Sequence, residues 1–329
     1  MKALTNANPP DLRAAVALAQ QARRAGREAA IAGGGSDLLG MMKDRLITPD
    51  VIVNLKAVKG LDQIKAEGSG LTIGALATLD AIGRHPIIRQ RYQVLAEAAD
   101  GVATPQIRNV ASIAGNVCQR PWCWYYRNGF NCFKAGGNVC YSVSGENQFH
   151  AIFGGGPSFI VHPSDTAPAL VALGATFRLV GPAGERTVPA AEFFVLPSAN
   201  AARENVLKDD EVLAAIALPS SSMSTRSTYH KVMDREAWTH AVVSAAVVLD
   251  MNKDVCRTAR IVLGGVAPIP WRLPEVERML EGQRITPALA ARAGEAAVAG
   301  ARPLAKNGYK VPLTKAIVKR TLVSLAVSV

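Results

Sequence analysis

Hydrophobic and polar residues alternate along the first part of the chain with periods that predict short helices and strands. Apolar residues between Leu12 and Ala19 fall on one helical face, just after the helix-favouring pair Pro10 and Asp11. The pattern then predicts, in order, a strand at 29–32, a short helical piece at 38–43 and a strand at 51–55. A domain boundary is predicted near residues 58–60.

The same criteria divide the rest of the chain into residues 59–222 and 223–329. The first of these predicts a strand at 71–73, helices to about residue 99, an irregular insertion at 118–157, regular structure from 159 and a helix at 168–173. The second predicts strands at 229–233, 241–249 and 260–263, then helices at 273–282, 286–299 and 313–326. A sheet followed by helices indicates an α+β arrangement.

Two loops rich in small residues are candidate ligand-binding loops. The first runs from Gly33 to Asp37, where glycine backbone N–H groups can approach a phosphate and the helix beginning at Leu38 adds its positive end. Its spacing differs from the dinucleotide-binding and Walker motifs, so a tight strand-to-helix turn is an equally good interpretation. The second loop, from Ala111 to Asn116, is of the same kind, and together the loops would enclose one pyrophosphate.

Four of the five cysteines lie in the irregular insertion, in the order Cys118-x4-Cys123-x8-Cys132-x7-Cys140. Zinc sites usually begin and end with closely spaced pairs, whereas iron–sulfur clusters accept looser spacing, because each thiolate binds a different iron. The spacing therefore favours a 4Fe–4S cluster, with zinc or free thiols as the alternatives. Three neighbouring cations would offset the charge of a cluster: Arg120, Arg127 and Lys134.

Composition and charge argue against several other classes of protein. The chain has 329 residues, of which 49% are hydrophobic, and its net charge of +11 comes from scattered basic residues, which do not predict a nucleic-acid partner. The longest apolar stretch, 241–249, is too short to cross a membrane. No apolar leader is visible, so we expect a cytoplasmic location, or a periplasmic one if a partner subunit carries the export signal. No catalytic triad, pair of catalytic carboxylates or molybdenum-binding pattern is recognisable; His150 and His162 receive no role, and Cys256 is interpreted as a core or surface thiol.

Four segments carry a family resemblance: AIAGGGSDLLGMMK, TPQIRNVASIAGNV, HPSDTAPALVALGA and YHKVMDREAW. In this order they resemble the flavoprotein subunits of xanthine dehydrogenases, carbon monoxide dehydrogenases and related molybdenum hydroxylases, over essentially the whole chain. The cysteine-rich insertion resembles that of periplasmic-type aldehyde oxidoreductase FAD subunits and of hydroxybenzoyl-CoA reductase flavoproteins. The resemblance implies a vanillyl-alcohol-oxidase-like (PCMH-type) FAD-binding fold, with two subdomains and a C-terminal α+β domain.

The resemblance also implies a set of FAD contacts. Pyrophosphate and ribityl or ribose contacts are expected around the two loops, at Ile31, Ala32, Gly33, Gly34, Gly35, Ser36, Asp37, Leu38, Ala111, Ser112, Gly115 and Asn116. Asp165 is expected to bind the adenosine side or to order the second loop, and Leu213 and Lys231 are expected near the isoalloxazine. Two simpler interpretations remain open: Asp165 as a helix N-cap, and Lys231 as a solvated strand residue.

One departure from the family pattern concerns the cluster. In the similar subgroup a fourth cysteine often precedes the HPSD motif, where this chain has Ser158. Cys118 is therefore the candidate fourth ligand beside Cys123, Cys132 and Cys140.

The resemblance implies an electron-transfer subunit that holds FAD and a 4Fe–4S cluster. Its expected partners are a molybdenum-cofactor large subunit that oxidises aldehydes or N-heterocycles, a 2Fe–2S small subunit and an electron acceptor that the sequence does not identify. No membrane partner is expected. The alternatives are a cysteine-ligated zinc-binding interaction protein and a stand-alone FAD oxidase.

Overall fold

A computed structural model describes residues 2–327, and its first layer is a small parallel sheet. The elements are β1 (Thr5–Ala7), α1 (Leu12–Arg24), β2 (Ala29–Ala32), α2 (Leu38–Lys43) and β3 (Val51–Asn54), followed by a 3-10 turn at Leu55–Ala57. The strand order is β1-β3-β2, with both pairings parallel. Asp11 starts α1 by accepting a hydrogen bond from the N–H of Ala14 at 2.8 Å. Because Ala32 pairs with Asn54, the segments that follow β2 and β3 leave the sheet at the same edge.

A five-stranded antiparallel sheet with helices forms the second layer. Its elements are β4 (Ile64–Glu67), β5 (Gly70–Gly74), α3 (Leu79–Arg84), α4 (Pro86–Arg91), α5 (Gln93–Asp100), α6 (Pro105–Arg108), α7 (Ile113–Val117), α8 (Trp124–Arg127), α9 (Thr166–Leu173), β6 (Thr176–Gly181), β7 (Gly184–Pro189), α10 (Ala190–Phe193) and β8 (Val212–Leu218). The strand order is β4-β5-β8-β6-β7. Every residue of α9 is buried. Helix α1 packs against β6 and β8, and this contact joins the first layer to the second.

The C-terminal part is a four-stranded antiparallel sheet covered by three helices. Its elements are β9 (Thr225–Val232), β10 (Val243–Asn252), β11 (Val255–Gly264), β12 (Trp271–Arg272), α11 (Pro274–Leu280), α12 (Pro287–Ala296) and α13 (Lys310–Val327). The strand order is β12-β11-β10-β9. Helix α13 packs on β9 and β10, while α5 and α9 of the second layer contact the same sheet. The C-terminal sheet is therefore covered by α13 and by helices of the second layer.

The fold is mixed α/β, and most of the predicted elements are present, including α1, β2, α2, β3, α9 and the strands and helices of the C-terminal part. The PCMH-type assignment and the domain boundaries stay predictions. Residues 159–161 were predicted to resume regular structure, but they lie outside helices and strands, although the N–H of Ala151 donates to the Phe159 carbonyl at 2.9 Å. The short strands β1, β4 and β12 were not predicted, nor were β6, β7 and β8. Strand β8 is buried on both faces and so lacks the alternation of a half-buried strand. Among residues 2–327, no helix is long and apolar enough to span a membrane.

Candidate functional site

The two glycine-containing loops pack directly against each other. A Cβ atom on Gly34 would lie 2.1 Å from the carbonyl oxygen of Val110, and one on Gly33 would lie 2.8 Å from Oγ of Ser112. Gly35 has φ of +80°, a conformation that L side chains rarely adopt. Gly34 is thus required by close backbone approach, Gly35 by the turn itself, and Gly33 by its contact with the Ser112 side chain. This geometry brings the two predicted loops together.

A cavity of about 430 Å³ opens beside the paired loops. Gly33, Gly34 and Ser112 line it, and the segment after β3 contributes Lys56, Lys59 and Asp62. Backbone N–H groups of a glycine loop with two cations nearby are suited to phosphate oxygens. Two lysines against one carboxylate give the lining a net positive charge, which suits an anionic ligand.

A second cavity of about 410 Å³ has a different character. Aromatic side chains line it, including Trp122, Phe149 and His240, and polar groups enter from Ser164 and Asp165. The rings of Trp122 and His240 lie 5.3 Å apart. A largely apolar cavity with a few polar groups is suited to a flat heteroaromatic ring.

A buried hydrogen-bond network connects α7 to the HPSD motif beside this second cavity. Oδ1 of Asn116 accepts from Oγ of Ser164 and from Oγ1 of Thr166, each at 2.6 Å. Oγ of Ser164 also accepts from the N–H of Ala167 at 3.0 Å, so Ser164 satisfies the first turn of α9. Asp165 occupies the N-cap position of α9, in agreement with the simpler interpretation, but its side chain makes no capping hydrogen bond there.

Asp165 instead forms a buried ion pair with Lys231 of β9. Nζ of Lys231 donates to Oδ2 of Asp165 at 2.7 Å, and also to the carbonyls of Gly101 and Thr239. The hydroxyl of Tyr229 donates to Oδ1 of the same carboxylate at 2.7 Å, and burial raises the pKa of Tyr229 well above its usual value. Lys231 is buried, so its interpretation as a solvated strand residue is wrong. Of this pair, Asp165 lines the second cavity and Lys231 does not.

Asp37 links the first loop to the cysteine-rich insertion. Its carboxylate accepts from Nη2 of Arg127 at 2.7 Å and from the backbone N–H of Arg120 at 3.1 Å. The Arg127 guanidinium also lies over the ring of Trp122, 4.2 Å from its centroid. The insertion is therefore held against the first loop by a nearly buried ion pair.

The other predicted contact residues occupy several environments. Ile31 and Ala32 end β2, Leu38 begins α2, and Ser36 between them is exposed. Ser112 caps α7 by accepting from the N–H of Gly115 at 3.3 Å, and its neighbour Ala111 is buried. Leu213 lies in β8 opposite Leu179, inside the core of the second layer, and lines neither cavity. Direct contact of these residues with FAD stays a prediction.

The four cysteines of the insertion do not form one group. Burial raises the pKa of the Cys123 thiol to about 11, and the thiols of Cys132 and Cys140 contribute to the increase, so these three lie within electrostatic reach of one another. Burial alone raises the pKa of Cys118 to about 12, and its side chain packs against the core of the second layer. Cys256 is a fully buried core thiol. Among residues 2–327, no group of three or more Cys, His, Asp or Glu side chains is arranged to hold a metal ion.

Sequence reasoning missed several residues that line the two cavities. Lys56 and Lys59 reach the first cavity because β2 and β3 are parallel neighbours, and two lysines directly after a strand were the available signal. Trp122 and His240 reach the second cavity from segments far apart in the chain. The sequence indicated these two residues only weakly, because each lies next to recognised residues and is not one of them. Trp122 is next to Cys123 of the cysteine cluster, and His240 follows the segment YHKVMDREAW.

Comparisons with known proteins agree with this architecture. Residues 4–221 match the family model of the FAD binding domain in molybdopterin dehydrogenase, and residues 228–325 match the CO dehydrogenase flavoprotein C-terminal domain. The aldehyde oxidoreductase FAD-binding subunit PaoB of Escherichia coli (strain K12) is 33% identical over 299 residues, covering 89% of this chain and 88% of that protein. The carbon monoxide dehydrogenase medium chain of Hydrogenophaga pseudoflava is 29% identical over 319 residues, covering 95% and 94%.

Solved structures give the same result. A structure of carbon monoxide dehydrogenase from Hydrogenophaga pseudoflava, lacking the Mo-pyranopterin moiety, aligns with a TM-score of 0.78 at 28% identity, covering 98% of this chain and 97% of that chain. The chain therefore belongs to the family of FAD-binding subunits of molybdopterin dehydrogenases. It is an oxidoreductase subunit, as the resemblance predicted. The 4Fe–4S insertion stays a prediction.

Proposed function

We propose that this chain is the electron-transfer subunit of a heteromeric molybdenum hydroxylase and binds one FAD along its two cavities. The phosphates would lie in the cavity lined by Gly33, Gly34, Lys56 and Lys59, and the isoalloxazine in the aromatic cavity beside Asp165. The observation that supports this most is the pairing of the two loops, because Gly33, Gly34 and Ser112 line the first cavity together and a glycine loop can bring its backbone N–H groups close to a phosphate. FAD supplies two-electron redox chemistry when bound.

The residues of the chain would then hold and shield the cofactor. Lys56 and Lys59 offset phosphate charge, while Arg127 neutralises Asp37 and keeps that carboxylate from repelling the ligand. Trp122 and His240 exclude water from one side of the second cavity. The Asp165–Lys231 ion pair holds in place the side of that cavity that Ser164 and Asp165 line.

We further propose that the cysteine-rich insertion binds an iron–sulfur cluster. Ligands of a cluster surround a core of several irons, so they do not have to converge on one ion as zinc ligands do. Three buried or half-buried thiols within electrostatic reach of one another fit this requirement in their chemistry. The buried ammonium of Lys134, near Cys132, shares the Glu204 carboxylate with Arg120. Two cations and one carboxylate leave one net positive charge in this group to offset the charge of a cluster.

The partners of such a subunit would be a molybdenum-cofactor large subunit and a 2Fe–2S small subunit. The similar proteins are subunits of aldehyde, carbon monoxide and nicotinate dehydrogenases, so we propose aldehydes or N-heterocycles as the substrate class of the complex. The complex would act in the cytoplasm, or in the periplasm if it is exported with a partner.

FAD binding by two lysine variants tests the proposal. The double substitution Lys56→Ala, Lys59→Ala removes two cations, and loss of a charge-assisted bond of about 1.5–3 kcal/mol should weaken FAD binding about 10–100-fold. Lys65→Ala, an exposed lysine on β4, is the matched control and should bind FAD like the wild type. Equal FAD affinity in all three proteins would contradict the assignment. A purified complex with no flavin absorption, or turnover by this chain without partners, would reject the subunit role.

A further inference from the structure

Three cysteines of the insertion each lie immediately before a short helical turn. Cys123 immediately precedes α8, Cys132 precedes the 3-10 turn Phe133–Ala135, and Cys140 precedes the 3-10 turn Tyr141–Val143. Backbone hydrogen bonds hold the segments that carry these cysteines together. The N–H of Phe133, next to Cys132, donates to the carbonyl of Val139, next to Cys140, at 3.3 Å. The N–H of Ala151 donates to the Phe159 carbonyl at 2.9 Å.

Hydrogen-bond donors surround the sulfur atoms of two of the three cysteines. Nε2 of His150, a buried side chain, lies 3.4 Å from Sγ of Cys123, which is a hydrogen-bond distance for nitrogen and sulfur. The N–H of Phe159 donates to Sγ of Cys140 at 3.5 Å, and Oγ of Ser142 lies 3.2 Å from the same sulfur. Hydrogen bonds to the sulfur atoms are a regular feature of iron–sulfur sites, where they set the reduction potential.

Cys118 does not belong to this group. It is the C-cap residue of α7 and packs with the apolar side chains of the second layer. Burial, and not a neighbouring thiol, raises the pKa of its thiol. Ser158 is closer to the three thiols, because it is buried and directly precedes Phe159, whose N–H reaches Cys140. The group around the three thiols thus contains an imidazole and a hydroxyl but no fourth sulfur.

We propose that the insertion binds its cluster through only three thiolates, Cys123, Cys132 and Cys140, and that the fourth iron has an oxygen ligand and is exchangeable. This inference rests on the proposed iron–sulfur function. The oxygen comes from the Ser158 hydroxyl or from water, since His150 lies at hydrogen-bond distance from a ligand sulfur. An iron without a cysteine is lost first: oxidation of a 4Fe–4S(2+) cluster by ferricyanide takes one electron and releases Fe²⁺, leaving 3Fe–4S(+).

The test uses the complete complex, co-expressed with its partner subunits and purified without oxygen. Iron and acid-labile sulfide are measured first, and electron paramagnetic resonance spectra are recorded before and after one equivalent of ferricyanide. We expect the wild type to release one iron per cluster and to show a three-iron signal that disappears when Fe²⁺ and dithionite are added. Cys118→Ala should behave identically, and Ser158→Cys, which adds a fourth thiol, should retain all four irons.

Two more variants identify the oxygen and guard against misfolding. Ser158→Ala should release iron faster if the hydroxyl is the ligand, and at the wild-type rate if water is. His150→Gln should keep the cluster and shift its reduction potential; loss of one iron in this variant alone would show a nitrogen ligand and overturn the inference. A wild-type cluster that resists ferricyanide, combined with a labile one in Cys118→Ala, would overturn it as well. Absence of iron and sulfide beyond those of the partner subunits would reject the proposed cluster itself.

Discussion

The ammonium of Lys231 donates to the carboxylate of Asp165 at 2.7 Å, and both side chains are only 4% exposed. This pair joins β9 of the C-terminal sheet to the start of α9 in the second layer. Lys231 also donates to the carbonyls of Gly101 and Thr239, so one ammonium connects three segments of the chain. The pair holds the C-terminal sheet against the second layer, which contains the loop from Ala111 to Asn116.

The first prediction is that removal of this ammonium destabilises the protein strongly. Lys231→Met leaves the Asp165 carboxylate buried with only the Tyr229 hydroxyl as a side-chain partner, and should lower the free energy of unfolding by about 3–5 kcal/mol. Urea denaturation measures it. Adding Asp165→Asn should recover part of the loss, since the uncompensated charge disappears. The control is Arg89→Met at the exposed Arg89–Asp100 pair, which should lower the free energy of unfolding by less than about 1 kcal/mol. An equal loss of stability in Arg89→Met and Lys231→Met would contradict the interpretation.

The glycine loops, Asp165 and Lys231 were singled out in the sequence because each lies within a short segment that resembles a family motif, and the structure packs the two loops together and pairs Asp165 with Lys231. Their partners could not be found in this way. The bond from Arg127 to Asp37 joins segments 90 positions apart, and Lys56 reaches the first cavity only because β2 and β3 are parallel neighbours. These contacts depend on how layers pack, which the periodicity of a single segment does not record.

The cysteines show the same limit of prediction from sequence alone. Their number and spacing predicted a site in the insertion, but the separation of Cys118 from the other three depends on where α7 ends against the core of the second layer. The spacing of the four cysteines therefore did not distinguish Cys118 from the other three. Strand β8 was missed for a related reason. Its two faces are buried, so its sequence does not alternate between apolar and polar residues.

The second prediction concerns Gly34. A methyl group at this position points at the Val110 carbonyl, so Gly34→Ala should lower stability by about 1–3 kcal/mol with or without FAD, and lower FAD content as a consequence. Gly40→Ala in α2 is the control, because nothing lies within 4 Å of a Cβ there and alanine favours the helix. Thermal unfolding and flavin content measure both variants. A stable Gly34→Ala protein with full FAD would show that the loops separate more easily than their contact implies.

The third prediction concerns the attachment of the insertion to the first loop. Arg127→Gln removes the ion pair with Asp37 and the guanidinium over Trp122, so the insertion should open locally more often and its backbone, beside exposed aromatic residues, should be cleaved more readily. Chymotrypsin cleavage within the insertion should accelerate, and FAD affinity should fall, because Asp37 becomes an uncompensated charge near the phosphates. Arg278→Gln, at an exposed pair on α11, should change neither quantity. Unchanged cleavage in Arg127→Gln would mean that other contacts hold the insertion.

The last prediction concerns Lys310, which is fully buried at the start of α13. Its Nζ donates to the carbonyls of Phe149 and Gly265, and burial lowers its pKa to about 7. In the unfolded chain a lysine titrates near pH 10.4, so between pH 7 and that value the unfolded state binds one more proton, and stability should increase with pH by about 1.4 kcal/mol per unit. The difference in the free energy of unfolding between wild type and Lys310→Met should therefore change along this slope from pH 7 to 9, and stay constant below pH 7, where both states carry the proton. Parallel stability curves from pH 7 to 9 would show that the buried amine keeps its proton.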